Sequence, residues 1–231
     1  MSYQSKATVA ALASVSTSVE RNRNTRFKAN DFYGLVGKRI FDIAVVMVII
    51  VPVSLFLAVF AIAIATDGRS PFFRQVRVGK NGKEFGMWKL RSMVGDAESK
   101  LEAYLSENAA ARQEWDSYQK LKNDPRITAI GKIIRRFSID ELPQIYNVLC
   151  GQMSLVGPRP MLVSQKSLYP GEAYYLLRPG ITGYWQISER NESEFKARAF
   201  YDTRYCEDIS FATDLEVMAK TVGCVTGGSG C

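Results

Sequence analysis

The segment Ser138-Ile139-Asp140-Glu141-Leu142-Pro143-Gln144 sets two carboxylates side by side just ahead of a proline. Proline lacks an amide hydrogen and fits a helix only in its first turn. The spacing therefore predicts a helix that starts near Asp140 and runs to Cys150, with Gly151 as its stop. Leu142, Ile145, Tyr146 and Leu149 then form one apolar stripe facing a core. Asp140 and Glu141 fall at the positive end of that helix, which favours their ionised forms. An ionised carboxylate is both a nucleophile and a magnesium ligand. Ser-x-x-Glu is also the spacing of a capping box, and an acidic first turn is ordinary helix chemistry, so the motif alone leaves both readings open.

The surroundings are basic. Arg135 and Arg136 lie just upstream, and Gly157-Pro158-Arg159-Pro160 downstream holds an arginine between two prolines. Such a loop is stiff and loses little entropy when its arginine grips a phosphate. Arg178-Pro179-Gly180-Ile181-Thr182-Gly183 sets another arginine beside a turn, with Trp185, Gln186, Ser188 and Arg190 close behind; in isolation it reads equally well as a structural turn. The chain has no histidine, which excludes Ser-His-Asp hydrolysis, His-ligated zinc and imidazole acid-base work. Paired carboxylates, loop-held arginines and no histidine suit phosphoryl transfer, where positioning and charge neutralisation outweigh proton shuttling. Gly34-Leu35-Val36-Gly37-Lys38 is not a Walker loop, because its spacing is wrong and an apolar segment follows. Cys150, Cys206, Cys224 and Cys231 show no C-x-x-C spacing and read as free thiols.

These residues need a scaffold, and the 231-residue chain supplies one substantial domain with attachments. Residues 1–30 carry five Lys/Arg and one Glu, a net +4 out of the chain's +7, and read as a solvated juxtamembrane arm. The 23 residues from Ile43 to Ala65 are free of charge, and as a helix would measure about 35 Å against a hydrocarbon core of about 30 Å. Pro52 interrupts that run and is expected to bend or break it. Five basic residues lie in the twenty positions before the run and five in the twenty after it, so the positive-inside bias is a tie. A hairpin that enters and leaves one leaflet puts both basic flanks at the same surface, and this is the expected topology. Beyond it, residues 71–90 read as a β-hairpin turning at Gly79-Lys80-Asn81-Gly82, residues 96–120 as one long amphipathic helix, and Asp208 onward as a last helix.

Lys38-Arg39 with Phe41-Asp42 ahead of the apolar run, Asp140-Glu141-Leu142-Pro143-Gln144, Gly157-Pro158-Arg159-Pro160, Arg178-Pro179-Gly180-Ile181-Thr182-Gly183 and Tyr201-Asp202 resemble, in this order, the bacterial sugar transferases. These are monotopic polyprenyl-phosphate sugar-1-phosphate transferases, here of the exopolysaccharide-initiating type, and the resemblance covers roughly residues 36 to 222. It implies transfer of hexose-1-phosphate from a UDP-sugar to undecaprenyl phosphate with release of UMP. Asp140 matches the family nucleophile that forms a covalent phosphosugar intermediate, and Glu141 matches the residue that helps to hold Mg2+. Arg135 and Arg159 match phosphate-holding arginines, and Arg178, Gln186 and Arg190 join them as candidate substrate contacts. Asp202 and Asp214 match acidic positions with a candidate metal role. Lys38, Arg39, Asp42 and Pro52 are the candidate membrane-anchoring residues. Val51 stands where many members have a serine before the proline, with Ser54 following.

The expected fold is α+β and predominantly helical: a flexible basic arm (1–35), a re-entrant membrane helix hairpin (36–66), a compact cytoplasmic catalytic domain with a small β-hairpin (67–222) and a flexible tail (223–231). The expected partners are a UDP-sugar carrying galactose or glucose, undecaprenyl phosphate and anionic membrane lipid, at the bacterial inner membrane with the catalytic domain facing the cytoplasm. No nucleic-acid motif is present, and a homo-oligomer is compatible with the reading. The alternative is a non-enzymatic membrane-surface or scaffold protein in which Asp140-Glu141 is only a helix cap.

Overall fold

The computed structural model describes residues 32–118, 121–188 and 195–226. The basic arm up to residue 31, Arg190 and the end of the tail lie outside these residues. After a π-helical turn, Tyr33–Gly37, the apolar run forms α1, Lys38–Ala65, 28 residues long. At 1.5 Å per residue this is about 42 Å of helix, long and apolar enough to cross a membrane. One side is bare: Ile40, Met47, Val48, Val51, Leu55, Val59 and Ile62 are exposed. The opposite face, with Lys38, Asp42, Val46, Leu57 and Ile64 buried and Ile50 and Val53 packed between them, rests on the rest of the protein along the helix's whole length.

Pro52 lies inside α1 and the helix continues through it. Its ring removes one backbone hydrogen bond, yet packing on both sides of it holds the turns in register. The expected division into two membrane limbs at Pro52 is therefore not confirmed; the fold has one long N-terminal apolar helix. Ser54 does not repair the helix's own backbone but meets the Tyr146 hydroxyl at 3.0 Å.

β1 (Phe72–Val78) and β2 (Glu84–Leu90) form the expected antiparallel hairpin. Its turn requires left-handed backbone, which Asn81 (φ 58°) and Gly82 (φ 73°) provide. The long helix expected over 96–120 is instead two, α2 (Ala97–Glu107) and α3 (Ala109–Tyr118). Asn108 leaves the helical region and its side chain accepts from the Ala111 amide at 3.1 Å, so a good N-cap residue starts a new helix where amphipathic periodicity alone reads continuity.

α4 (Ala129–Arg136) is followed by a 3-10 turn, Ile139–Gln144, and α5 (Ile145–Leu149). Two short strands, β3 (Ser154–Val156) and β4 (Gly180–Thr182), pair in parallel, with α6 (Ala173–Leu176) between them and α7 (Tyr184–Ile187) after them. α8 (Arg198–Asp208) and α9 (Phe211–Thr226) close the described chain. The main core gathers Val46 of α1, Met87 of β2, Ile145 and Val148 of α5, Tyr205 of α8 and Val217 of α9, and a second cluster joins Leu57 and Ile64 to Leu90, Ile134 and Ile139. The domain is mostly helical, with a small antiparallel β-hairpin, and α1 is part of its core.

Candidate active site

Strand periodicity builds one wall of the site. In the hairpin register Phe73 faces Lys89, Gln75 faces Met87 and Arg77 faces Phe85, so these residues share one face of the sheet. Phe73, Gln75, Arg77 and Lys89 line a cleft of about 980 Å³, whose other walls include Arg135, Ser138, Asp140, Glu141, Arg159, Trp185 and Arg198. That volume is at the upper end for a small-ligand site.

The floor is the 3-10 turn. Ser138 holds left-handed backbone (φ 55°, ψ 25°), a conformation that costs a β-carbon-bearing residue roughly 1 kcal/mol or more and that swings the chain from α4 into the next turn. The serine side chain makes no capping bond, so the capping-box reading is not what the fold uses. Glu141 Oε1 accepts instead from Lys89 Nζ at 3.1 Å and from Arg159 Nη2 at 3.1 Å. Asp140 is 8% exposed, and its Oδ2 lies 3.7 Å from Lys89 Nζ.

Burial pushes the Asp140 carboxyl above the usual carboxylate range; Lys89 is the strongest influence against this, Glu141 adds to the rise, and Arg135 and Arg159 oppose it. The α-helix expected to start near Asp140 is a six-residue 3-10 turn there, so what opposes the burial of Asp140 is the neighbouring cations, Lys89 first. Pattern reading missed Lys89, Arg77 and Arg198. The signal for the first two was the period-two register that sets them on one face with Gln75.

The proline-arginine loop is held by backbone packing. A β-carbon on Gly180 would meet the Gly157 amide nitrogen at 2.1 Å, and one on Gly157 would meet the Arg178 carbonyl oxygen at 2.4 Å. Only glycines let β3 and β4 approach this way, with the Gly157 amide donating to Thr182 and the Gly180 amide to Pro158, both at 2.8 Å. The loop then presents Arg159 to Glu141, with its guanidinium 5.8 Å from the Trp185 ring. Arg198 lies 4.3 Å from the same ring and 4.7 Å from that of Phe195.

Other expected residues stand elsewhere. Arg178 donates to the Gly151 carbonyl at 2.9 Å and is not among the cleft-lining residues. Gln186 is buried, and its amide nitrogen and oxygen have no hydrogen-bond partner among the described residues. Asp202 accepts from the Tyr169 hydroxyl at 2.8 Å, and its burial raises its pKa to about 7. Asp214 is fully buried: Oδ2 accepts from Lys38 Nζ and the Tyr33 hydroxyl, both at 2.7 Å, and Oδ1 from the Tyr205 hydroxyl at 2.6 Å. With both oxygens engaged away from the cleft, Asp214 ties down the start of α1.

Lys38, Arg39 and Asp42 likewise face the domain rather than lipid. Arg39 donates to the Val148 and Leu149 carbonyls, and Asp42 accepts from the Ser154 hydroxyl at 2.7 Å and the Leu155 amide at 3.1 Å. Among the described residues no group of three or more His, Cys, Asp or Glu gathers for a metal. A metal held here would rest on the two carboxylates of the 3-10 turn, with the rest of its shell from ligand and water.

The chain is similar over most of its length to known proteins. The chain is 42% identical over 190 residues to the UDP-galactose-lipid carrier transferase of Erwinia amylovora, which covers 81% of this chain and 40% of that protein. It is 39% identical over 201 residues to the exopolysaccharide production protein ExoY of Sinorhizobium fredii, covering 85% of this chain and 89% of that protein. It is 40% identical over 200 residues to the UDP-glucose:undecaprenyl-phosphate glucose-1-phosphate transferase of Klebsiella pneumoniae, covering 81% and 40%. The chain thus spans less than half the length of two of these relatives and most of the third. Residues 33–228 match the family described as bacterial sugar transferase, a span that takes in α1, the cleft and every described cleft residue, and the chain belongs to that family.

Proposed function

We propose that the protein transfers a hexose-1-phosphate from a UDP-sugar to undecaprenyl phosphate, releasing UMP, as the first membrane step of exopolysaccharide or related glycan assembly. The observation that carries this is Asp140 on the floor of a large cleft, with Lys89, Arg135 and Arg159 around it. A scaffold protein has no need of a carboxylate pair bridged by cations in an open cleft.

In the first half-reaction an Asp140 carboxylate oxygen bonds to the sugar-bearing phosphorus as the bond from that phosphorus to the UMP oxygen breaks, and UMP leaves as a dianion with the electron pair. In the second, an oxygen of the lipid phosphate bonds to the same phosphorus and Asp140 leaves as carboxylate. Charge balances in both halves without a proton moving, which fits a chain with no histidine. What must be supplied is positive charge. Lys89 and Arg159 hold Glu141 beside the nucleophile, and Arg135 and Arg159 face the attacked phosphate. Such preorganised positive charge, held where negative charge develops, is the largest lever on this kind of barrier.

Asp140 and Glu141 suit Mg2+, which takes one or two carboxylates and completes its shell with phosphate oxygens and water. When bound, the ion neutralises charge on the diphosphate. For topology, both ends of α1 lie at the surface of the cytoplasmic face. Supporting this, its first turns are bonded to α5, β3 and Asp214, its middle to Tyr146, and its end through Arg91, which donates to the Ile64 carbonyl at 3.2 Å and to Asp67 at 2.6 Å. These contacts at both ends and in the middle of α1 support a helix that stays with the domain at one surface.

The test is UMP release from a panel of UDP-hexoses by the purified protein in detergent, with and without undecaprenyl phosphate and Mg2+. Sustained release that requires the lipid, with galactose or glucose as the sugar, is expected. No release from any UDP-hexose would reject the reading in favour of a binding or scaffold protein.

A further inference from the structure

Arg77 on β1 and Arg198 at the start of α8 both line the cleft, while the carboxylate pair is bridged by Lys89 and Arg159, with Arg77 also feeling the charge of Glu141. Each guanidinium is fixed in place. Arg77 donates to the Pro160 carbonyl at 3.1 Å and to Gln75 Oε1 at 2.6 Å, while Arg198 is held by the Trp185 and Phe195 rings. Each also keeps a buried Nε with no hydrogen-bond partner among the described residues. Burial lowers Arg77 to about 10 and Arg198 to about 9, with the charge of Arg159 the next cause in both. Glu141 offsets this in part for Arg77 and Asp202 for Arg198, but cations crowded together with a buried donor left over are costly unless a further anion completes the site.

Their placement says which anion. The guanidinium groups of Arg159 and Arg198 lie 5.8 and 4.3 Å from the same Trp185 ring, and Arg77 donates to the carbonyl of Pro160, the residue after Arg159. Arg159, which reaches Glu141 at 3.1 Å, therefore links the carboxylate pair to Arg77 and Arg198 along the cleft wall. Phosphoryl transfer runs roughly in line, so the oxygen that leaves in the first half-reaction and the oxygen that attacks in the second both lie opposite Asp140. Each belongs to a phosphate monoester, UMP in one case and the polyprenyl phosphate in the other.

We propose that Arg77 and Arg198 form one phosphomonoester subsite, which the leaving nucleoside monophosphate vacates and the lipid phosphate then refills. The inference rests on the reaction proposed above. It requires the two planar forks rather than general positive charge, since each must meet phosphate oxygens with its remaining donors.

The test uses the full-length protein and its Arg198→Lys and Arg77→Lys variants. The inhibition constants of UMP and of uridine and the KM for undecaprenyl phosphate are measured for each, with a thermal melt to confirm folding. In either variant the UMP constant and the lipid-phosphate KM are expected to rise together by about ten-fold or more, the worth of one charge-assisted hydrogen bond, while uridine is unchanged. Three results would overturn the proposal: both constants unchanged, UMP weakened with the lipid KM fixed, or UMP and uridine weakened alike. If Arg198→Lys melts too early to assay, Arg77→Lys decides the question by the same three results. Failure of the underlying reaction is distinguishable, because the wild-type protein would then release no UMP at all.

Discussion

Replacing Asp214 with asparagine separates two roles that one carboxylate was open to. In the fold it is wholly buried and receives Lys38 Nζ, Tyr33 and Tyr205 within 2.6–2.7 Å. Asparagine keeps the shape but only one acceptor oxygen, so one of the two tyrosines loses its acceptor, and the Lys38 ammonium is left buried without its counter-charge. Breaking one side of a buried pair costs about 3–5 kcal/mol. For a chain of this size 1 kcal/mol is worth roughly 2–4 °C, so the apparent melting temperature should fall by roughly 6–20 °C. The assay is a fixed-rate thermal melt in detergent, paired with a Mg2+ titration of UMP release below the melt. The Mg2+ concentration for half-maximal activity should not move. The double variant Lys38→Met/Asp214→Asn should lose less than the sum of the single changes, since no lone charge remains. An unchanged melting temperature with a displaced Mg2+ requirement would return Asp214 to the metal and refute the anchoring role.

Arg159→Lys keeps the charge but loses the fork that reaches Glu141, and should lower kcat/KM by about ten- to a hundred-fold with the melting temperature nearly unchanged; comparable kinetics would count against it. Asp202 has its folded pKa raised by burial from 3.8 to about 7, so between those values the folded state binds the extra proton and stability falls as pH rises. Wild type should therefore lose melting temperature from about pH 4 to pH 7 more steeply than Asp202→Asn, and parallel curves would show that Asp202 is not the group responsible. Single cysteines at Ser18 and Ser70, in a background lacking the natural cysteines, should both resist an impermeant thiol reagent in intact cells; labelling at Ser18 alone would establish a spanning helix.

Much of the site is legible where chemistry and backbone constraint coincide in a few neighbouring residues. Pro143 marks a first turn, Asp140 and Glu141 stand beside it, and the glycines of the two proline-containing loops signal close backbone approach, which the β3–β4 pairing accounts for. The hairpin is legible from Asn81-Gly82, a pair suited to left-handed backbone. What escapes depends on partners distant in sequence. The use of Asp214 is set by Lys38, 176 positions away, and that of Lys89 by carboxylates 52 positions on at Glu141. Asn108 looks like one more polar residue on a helix, because capping competes with amphipathic periodicity and only packing decides between them. The path of the chain at Pro52 follows the same rule: a proline weakens a helix by one bond, but a face packed from Val46 to Ile64 outweighs that loss.

The central claim, that Asp140 carries the phosphosugar between two phosphate monoesters, is tested most directly by intact-protein and peptide mass spectrometry after incubation with the UDP-sugar and Mg2+ without lipid. The account predicts stoichiometric UMP release, an added hexose-phosphate mass on the peptide bearing Asp140, its discharge when undecaprenyl phosphate is added, and its absence from Asp140→Asn. Lipid-linked product formed with no such adduct, and with no UMP released until the lipid arrives, would contradict it.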